Sequence, residues 1–437
     1  MDVDDDLPAA GDRFVDLLEH QGLRGTEGFA QDGSHEAGTL LLAVMEELGH
    51  PVFDADNHYY EAEDAFTRHL DPALGPRCVQ WATIDGRRYH VIGGRISRAV
   101  TNATFDPISK PGCLYDYFRG NTEGVNPLER LRDHEPIRAE YRNRDARLVT
   151  LDEQGLAGCW LFPTLGMIYE ELLRHDPEAV CITFRAFNRW VLDDWGFNHG
   201  DRIFAAPYIT LADAAWAVEE LEWALDQGAR LVVMRASAPT TALGRRSPFD
   251  PMFDPFWARL DEAGVTVVVH AGDSGVSSDG YAVDGFAATF SGGYKPSLKN
   301  FAIEKAVHDF LLSMVLENHL VKYPNLRVAS VENGAEFLPD LFRKLRSVEK
   351  KMRGWFADDP VETFRRQVWI NPFWEDDLES VIDWVGADRV LFGSDWPHIE
   401  ALPEPLDYLR ETKRLDPGDR RKVLFDNATE LVAPRPR

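Results

Sequence analysis

Basic residues are scarce in this chain: 47 lysines and arginines stand against 73 aspartates and glutamates over 437 residues, a formal net charge of −26. A nucleic-acid surface needs clustered cations to neutralise phosphates. No such cluster is present, so the acidity reads as solubility rather than as a binding signal. Cysteine is scarcer still. Cys78, Cys113, Cys159 and Cys181 lie far apart with no C-x-x-C spacing, which excludes a zinc knuckle or disulfide framework and suits a reducing cytosol. No apolar run approaches the roughly 20 residues that a membrane span needs. The first residues, MDVDDDLPAAGD, are acidic where a signal peptide is basic. The expectation is a cytoplasmic protein with a small-molecule substrate, no nucleic-acid or membrane partner, and a homo- or hetero-oligomeric state. Also missing is a G-x-G-x-x-G after any strand pattern, which leaves a doubly wound dinucleotide-binding sheet only as a fallback.

What is present is ample core material, 44% hydrophobic and 11% aromatic, enough for the chain to fold alone. Residues 1–49 read as a helical arm, with an apolar stripe at Phe14, Leu17 and Leu18 and a second helix ending near Gly49. A long excursion over 62–144 contains the hairpin pattern VQWATIDGRRYHVIGG around Asp85-Gly86, followed by a Pro- and Gly-rich stretch. Its length predicts a lid or a subunit contact. From about residue 145, helical patterns alternate with β-branched runs: AGCWLFPT, RIFAAPYITL, RLVVMRA, VTVVVHAG, RVASVENG, VWINPF and RVLFGSD. With the first strand in PVFDADNHYYE, these make eight units over 50–432. They predict an α/β fold, a (β/α)8 TIM barrel with an N-terminal arm and a long insertion after strand 1.

The strand ends carry the chemistry. Period-two geometry points Asp54, Asp56 and His58 the same way at the end of the first strand. His270 ends the fifth strand pattern, Glu332 the sixth and Asp395 the eighth. Parallel strands of one barrel deliver such ends to a common mouth, so residues more than 300 positions apart can share one cation. Asp56, His58, His270, Asp395 and Glu332 are the predicted metal ligands, with a salt bridge at the barrel end as the other reading of Glu332.

On these residues, and on DADNHYYE, LVTLDEQGLAGCWLFPT, VVVHAG, ENGAEFLPDL and LFGSDWPH, the sequence resembles the amidohydrolase superfamily, in its amidohydrolase-related branch that includes decarboxylases of aminocarboxymuconate and aromatic carboxylates. The resemblance implies that Asp56 and His58 supply the acidic-x-His pair of the first strand, His270 the fifth-strand histidine, and Asp395 the aspartate that binds metal and moves protons. Two departures stand out. Val232, Val233, Met234 and Arg235 occupy the strand where binuclear members carry a bridging carboxylated lysine, and Glu332 stands where a histidine is usual. The oxygen-rich donor set favours manganese, iron or magnesium over zinc; the cofactor expectation is a divalent metal ion, Zn, Mn or Fe.

The catalytic assignments are Asp395 as the proton-moving carboxylate, Glu332 as acid/base partner or ligand, and His398, three residues after Asp395, as a contact to substrate or metal-activated water, with a packed turn residue as its other reading. Arg235 is assigned to grip an anionic substrate group, against a structural ion pair. Glu61 either orients His58 or caps a helix. His199, His308 and His319 read as structural, and Phe337, Phe373 and Trp374 as pocket wall or core. The leading function is a metal-dependent hydrolase of a small amide, ester or lactone working through a metal-activated water. Non-oxidative decarboxylation of a small aromatic acid is the alternative. An oxygen-activating Fe/Mn enzyme and an assisting subunit of a hetero-oligomer are further readings.

Overall fold

The structure, a computed structural model, describes residues 34–100, 102–275 and 298–433. The helix expected around Phe14, Leu17 and Leu18 lies outside them. The second helix of the arm is present as α1, Ser34–Leu48, and packs against α2, Arg144–Glu153. The Asn143 side chain caps α2 by accepting from the amides of Asp145 and Ala146, as a short polar side chain does where a helix begins.

β1, Phe53–Tyr59, is buried along its whole length. After it comes the expected hairpin of β2, Val79–Ile84, and β3, Arg87–Ile92. Asp85 and Gly86 turn it with φ of 50° and 76°, the left-handed pair that matches strand twist. The rest of the excursion is more ordered than its Pro and Gly content predicts. A two-stranded ribbon pairs β4, Ile108–Ser109, with β5, His134–Glu135. The excursion is also tied to the body, because Gly112 and Leu114 donate to the carbonyls of His398 and Ile399 at 2.9 and 2.8 Å.

The βα alternation then follows. β6, Gly158–Pro163, precedes α3, Gly166–Leu173, and α4, Pro177–Asp194; β7, Ile203–Ala205, precedes α5, Ala214–Asp226. β8, Leu231–Arg235, precedes α6, Asp254–Ala263, and β9, Thr266–His270, precedes α7, Ala302–Leu316. β10, Arg327–Val331, precedes α8, Leu338–Lys351; β11, Val368–Ile370, precedes α9, Leu378–Val385. Two parallel sheets result, β1-β6-β7 and β11-β10-β9-β8. Their strands are buried on both faces, as parallel strands covered by helices must be. Isolated parallel bridges join Tyr208 to Val233, Ile370 to Val390 and Asn57 to Trp396.

Two expected strands are shorter than their patterns. RIFAAPYITL forms a ladder only over β7, since Pro207 has no amide to donate. RVLFGSD runs extended beside β1 with no ladder of its own, meeting its neighbours through the bridges at Val390 and Trp396. Its backbone turns into the left-handed region at Asp395, φ 60°, which ends any strand. Among the described residues no helix is long and apolar enough to cross a membrane.

Gly393 is the tightest point of this seam. A Cβ there would sit 2.4 Å from Asp56 Cβ and 2.7 Å from Asn371 Nδ2. Gly393→Ala is expected to lower stability by about 1–3 kcal/mol through overpacking and to displace Asp56. Calorimetric unfolding measures the first effect, and the metal content of the purified variant the second.

Candidate metal centre

The strand ends do converge. His58 Nε2 lies 3.3 Å from Asp56 Oδ1, 3.4 Å from Glu332 Oε2 and 3.4 Å from Asp395 Oδ1. His270 Nε2 lies 3.5 Å from the same Asp56 oxygen and 3.3 Å from the same Glu332 oxygen. The ligand atoms of Asp56, His58, His270 and Glu332 all fall within 4.8 Å of one another, and so do those of His58, Glu332, Asp395 and His398.

These groups fit a cation better than they fit each other. Asp56 Oδ1, His58 Nε2, His270 Nε2 and Asp395 Oδ2 are buried with no hydrogen-bond partner, a costly state for polar atoms unless something else satisfies them. Donors bound to one divalent ion at about 2.0–2.2 Å stand roughly 3.0–3.5 Å apart, which is the spacing found. His270 Nδ1 donates to the Ala271 carbonyl at 2.9 Å, so its Nε2 lone pair faces the cluster, as a ligating imidazole requires.

Backbone and buried side chains fix these groups. β9 sets His270 level with Arg235 on one side and Val331 on the other, which brings Glu332 to the same rim. Glu332 and Asp395 both hold positive φ, 57° and 60°, conformations that a non-glycine residue keeps only when its surroundings impose them. Here they do: the Asp395 amide donates to Asp56 O at 2.8 Å and the Glu332 amide to Asn371 Oδ1 at 3.2 Å.

The electrostatics follow from burial and crowding. Burial alone would lower His58, but the facing carboxylates of Asp56 and Glu332 outweigh it and carry its pKa up to about 10. Asp56 would be raised by burial, yet His270 and His58 pull it below the usual range. Asp395 is pushed well above the usual carboxylate value by burial, then by the charges of Glu332 and Glu400. His398 is pushed well below 6.5 by burial, then by His58 and His270. Glu400, facing the same space, rises to about 7 through burial and Glu332.

Several expectations need correction. Asp54 does not join Asp56 and His58, because the register of β1 slips between Asp54 and Asn57; its carboxylate turns to Ser394, accepting from the amide at 2.9 Å and from the hydroxyl at 2.6 Å. Arg235 does not reach the cavity. It is buried, donating to Glu171 Oε2 at 2.8 Å and Glu170 Oε1 at 3.2 Å, so the ion-pair reading replaces the substrate one. Glu61 accepts from the Gly166 amide at 3.0 Å, the first residue of α3, and thus caps a helix. Phe337, Phe373 and Trp374 do not line the cavity; Trp374 stacks on Tyr115 and donates to the Glu400 carbonyl at 3.0 Å. As expected, His199, His308 and His319 stand elsewhere, His199 beside Asp145 and His308 beside Asp340, and His319 buried among Phe249, Trp257 and Tyr323.

Sequence reasoning missed Thr164, Glu400 and the cavity wall. His398 Nδ1 lies 2.7 Å from Asp395 Oδ1 and its Nε2 lies 2.9 Å from Thr164 Oγ1, which donates to Tyr59 O at 2.8 Å. Above this floor opens a cavity of about 480 Å³, walled largely by the 62–144 excursion, Val100, Phe105, Ile108, Leu128 and Leu131 among its residues. No periodicity marks those positions in the sequence.

Imidazoles and carboxylates drawn from separate strand ends, unpaired and gathered about one buried point, define the class of α/β enzymes that work with a divalent cation. The sequence profile of the family described as amidohydrolase matches residues 168–433, more than half of the chain. A crystal structure of an amidohydrolase from Mycobacterium avium subsp. paratuberculosis K-10 is 40% identical and aligns with a TM-score of 0.81, covering 88% of this chain and 99% of that one. The chain belongs to the amidohydrolase family of enzymes. Two more distant structures share the fold. One is dihydroxybenzoic acid decarboxylase from Polaromonas sp. JS666 with bound manganese and the inhibitor 2-nitroresorcinol, at 19% identity, 72% and 93% coverage and a TM-score of 0.54. The other is 5-carboxyvanillate decarboxylase from Sphingomonas paucimobilis, at 15% identity, 87% and 98% coverage and a TM-score of 0.51. No curated protein matches the chain.

Because Asp54 backs the cluster without joining it, Asp54→Asn tests the architecture separately from the chemistry. The amide sets an NH2 against donors from Ser394 and Asn57 and is expected to cost about 1–3 kcal/mol of stability. Manganese affinity should fall about 10- to 100-fold, as for other residues that hold ligands from behind. Thermal unfolding and metal titration of the same preparation read the two effects.

Proposed function

We propose that this protein is a metal-dependent, non-oxidative decarboxylase of a small carboxylic acid, with aromatic acids as the first class to test. The observation that carries this reading is the contrast within one cavity: a cation-binding floor faces walls made of aliphatic and aromatic side chains. Loss of carbon dioxide from a carboxylate is favoured where the acid group is stripped of water, whereas hydrolysis needs water at that point. The fold relatives that act on dihydroxybenzoate and carboxyvanillate, one of them with manganese, support the same reading.

Asp56, His58, His270, Glu332 and Asp395 are the residues we assign to hold the ion. A divalent cation bound there supplies the positive charge that orients the acid group and stabilises negative charge as the carbon–carbon bond breaks. The rest falls to this chain's own side chains. Thr164 spends its single proton on Tyr59 O, so it accepts from His398 Nε2–H. A neutral His398 then presents Nδ1 as an acceptor, and the proton of the 2.7 Å contact sits on Asp395 Oδ1, in line with the upward push on that carboxyl. Asp395 can hand this proton to the carbon that loses its carboxyl group, and uptake of one proton from solvent then restores its hydrogen bond to His398 Nδ1. Balance is simple: one proton enters, one carbon dioxide leaves, and no oxidant is consumed. Because oxygen donors outnumber nitrogens, manganese or iron suits the site better than zinc.

The same proposal takes the two parallel sheets and the bridges between them as one closed (β/α)8 barrel over 50–432, with residues 1–49 as an arm and 62–144 as the lid over its mouth. Support comes from the parallel bridges at Tyr208, Val390 and Trp396. Hydrolysis of a small amide, ester or lactone is the second reading, favoured by the name of the 40% identical structure.

The manganese-loaded protein is expected to release carbon dioxide from hydroxybenzoates and, in deuterated water, to place deuterium on the carbon that carried the carboxylate. Asp395→Asn should lower that rate by about 10²- to 10⁴-fold with the circular dichroism spectrum unchanged. Cleavage of an amide, ester or lactone with no carbon dioxide from any acid would establish the second reading instead, and near-normal turnover by the variant removes Asp395 from the chemistry.

A further inference from the structure

Where a single-ring acid would lie on the cation site, the cavity continues. At about 480 Å³ it falls within the roughly 300–1,000 Å³ of pockets that enclose much larger ligands. Much of its lining is apolar: Val100, Phe105, Ile108, Leu128 and Leu131 come from the excursion and Ile168 from the start of α3. Such a surface holds a substrate by what the substrate removes from water.

One cation shares this lining. Arg132 lines the cavity, yet among the described residues its guanidinium makes no ion pair. Other cations of the excursion differ. Arg130 pairs with Asp116, Arg138 with Glu140 and Lys110 with Asp133. The backbone at Arg132 is held in place. His134 Nδ1 donates to its carbonyl at 2.8 Å, the Ser109 hydroxyl donates to Leu131 O at 2.9 Å, and the β4–β5 ribbon closes the loop. An arginine presented this way is suited to fork onto a carboxylate or another oxyanion.

We infer that the substrate is an elongated acid with two anionic ends: one carboxylate on the cation site, an apolar body against the excursion, and a second anionic group on Arg132. This rests on the reading of the floor as a cation site, and deepens it by naming the substrate class. Arg132 thereby becomes a specificity residue that the chemistry itself does not use.

Calorimetric titration of the manganese-loaded protein with hexanoate, octanoate, decanoate and decanedioate tests it without requiring turnover. Affinity should rise about fourfold per added methylene until the cavity is full. Decanedioate should bind about tenfold more tightly than decanoate, because its far carboxylate gains a charge-assisted hydrogen bond. Arg132→Gln should abolish the preference for the diacid and leave decanoate binding unchanged. A flat chain-length series overturns the apolar body. A diacid preference that is absent, or that survives Arg132→Gln, overturns the role of Arg132. Repeating the series on chelator-treated protein separates the underlying reading: if every acid binds equally well without the ion, the cation site fails, while the slope and the Arg132 effect still decide this inference.

Discussion

One buried carboxylate holds the centre together. Asp54 is fully buried and accepts four hydrogen bonds, from the Ser394 amide and hydroxyl, the Asp56 amide and the Asn57 side chain. It thereby joins the first strand to a segment 340 residues away. Around it the backbones interlock: Ala55 donates to Phe392 O, His58 to Trp396 O and Asp395 to Asp56 O, each at 2.8 Å. Arg147 closes the structure from behind, buried, donating to the His58 carbonyl at 2.8 Å and to Asn57 Oδ1, with its guanidinium over Trp396. A carboxylate bonded to this many donors is worth far more in place than removed, because each partner would be left buried and unmet. The geometry of the cluster inherits that rigidity, since Asp56, His58 and Asp395 are all within four residues of Asp54 or one residue of Ser394.

The cluster was legible because the positions of its members obey a rule of the fold rather than of local chemistry. A β-branched run that ends in a histidine or carboxylate places that side chain at the strand's C-terminal end, as for His270 and Glu332, and Asp395 reaches the same point through its amide bond to Asp56 O. Where a side chain's direction depends on one extra residue, the rule breaks. Asp54 has the right spacing from Asp56 and His58, and the slip in β1 takes it out of the set. Arg235 sits at the rim of β8, level with His270, but α3 sets Glu170 and Glu171 against it, and no spacing in the sequence announces a helix from another unit. Glu61 shows the same limit. Its role as a cap becomes visible only once Gly166 is known to open a helix beside it.

The excursion illustrates a different kind of illegibility. Prolines and glycines between 107 and 127 signal irregular chain, and irregular chain carries no periodicity from which to read an inward face. Yet this segment supplies the cavity's apolar wall and is anchored at several points, the ribbon at Ile108 and His134 and the Arg142 guanidinium on the carbonyls of Tyr60 and Thr104. Its order comes from side chain–backbone and backbone–backbone bonds to the body, which are long-range facts.

This division of labour has a physical consequence for how the site can change. The floor is built from strand ends whose backbone amides are committed to one another, so a shift there breaks several buried hydrogen bonds at once. The wall meets the floor at two amides, Gly112 and Leu114, that bond to the carbonyls of His398 and Ile399. Substitutions among the cavity-lining residues of that wall alter the volume and charge inside the cavity, while the hydrogen bonds that join Asp395, His398 and Thr164 keep their distances. Chemistry and specificity are therefore separable in this chain. Arg132 can select among acids because none of the bonds that hold the clustered groups passes through it.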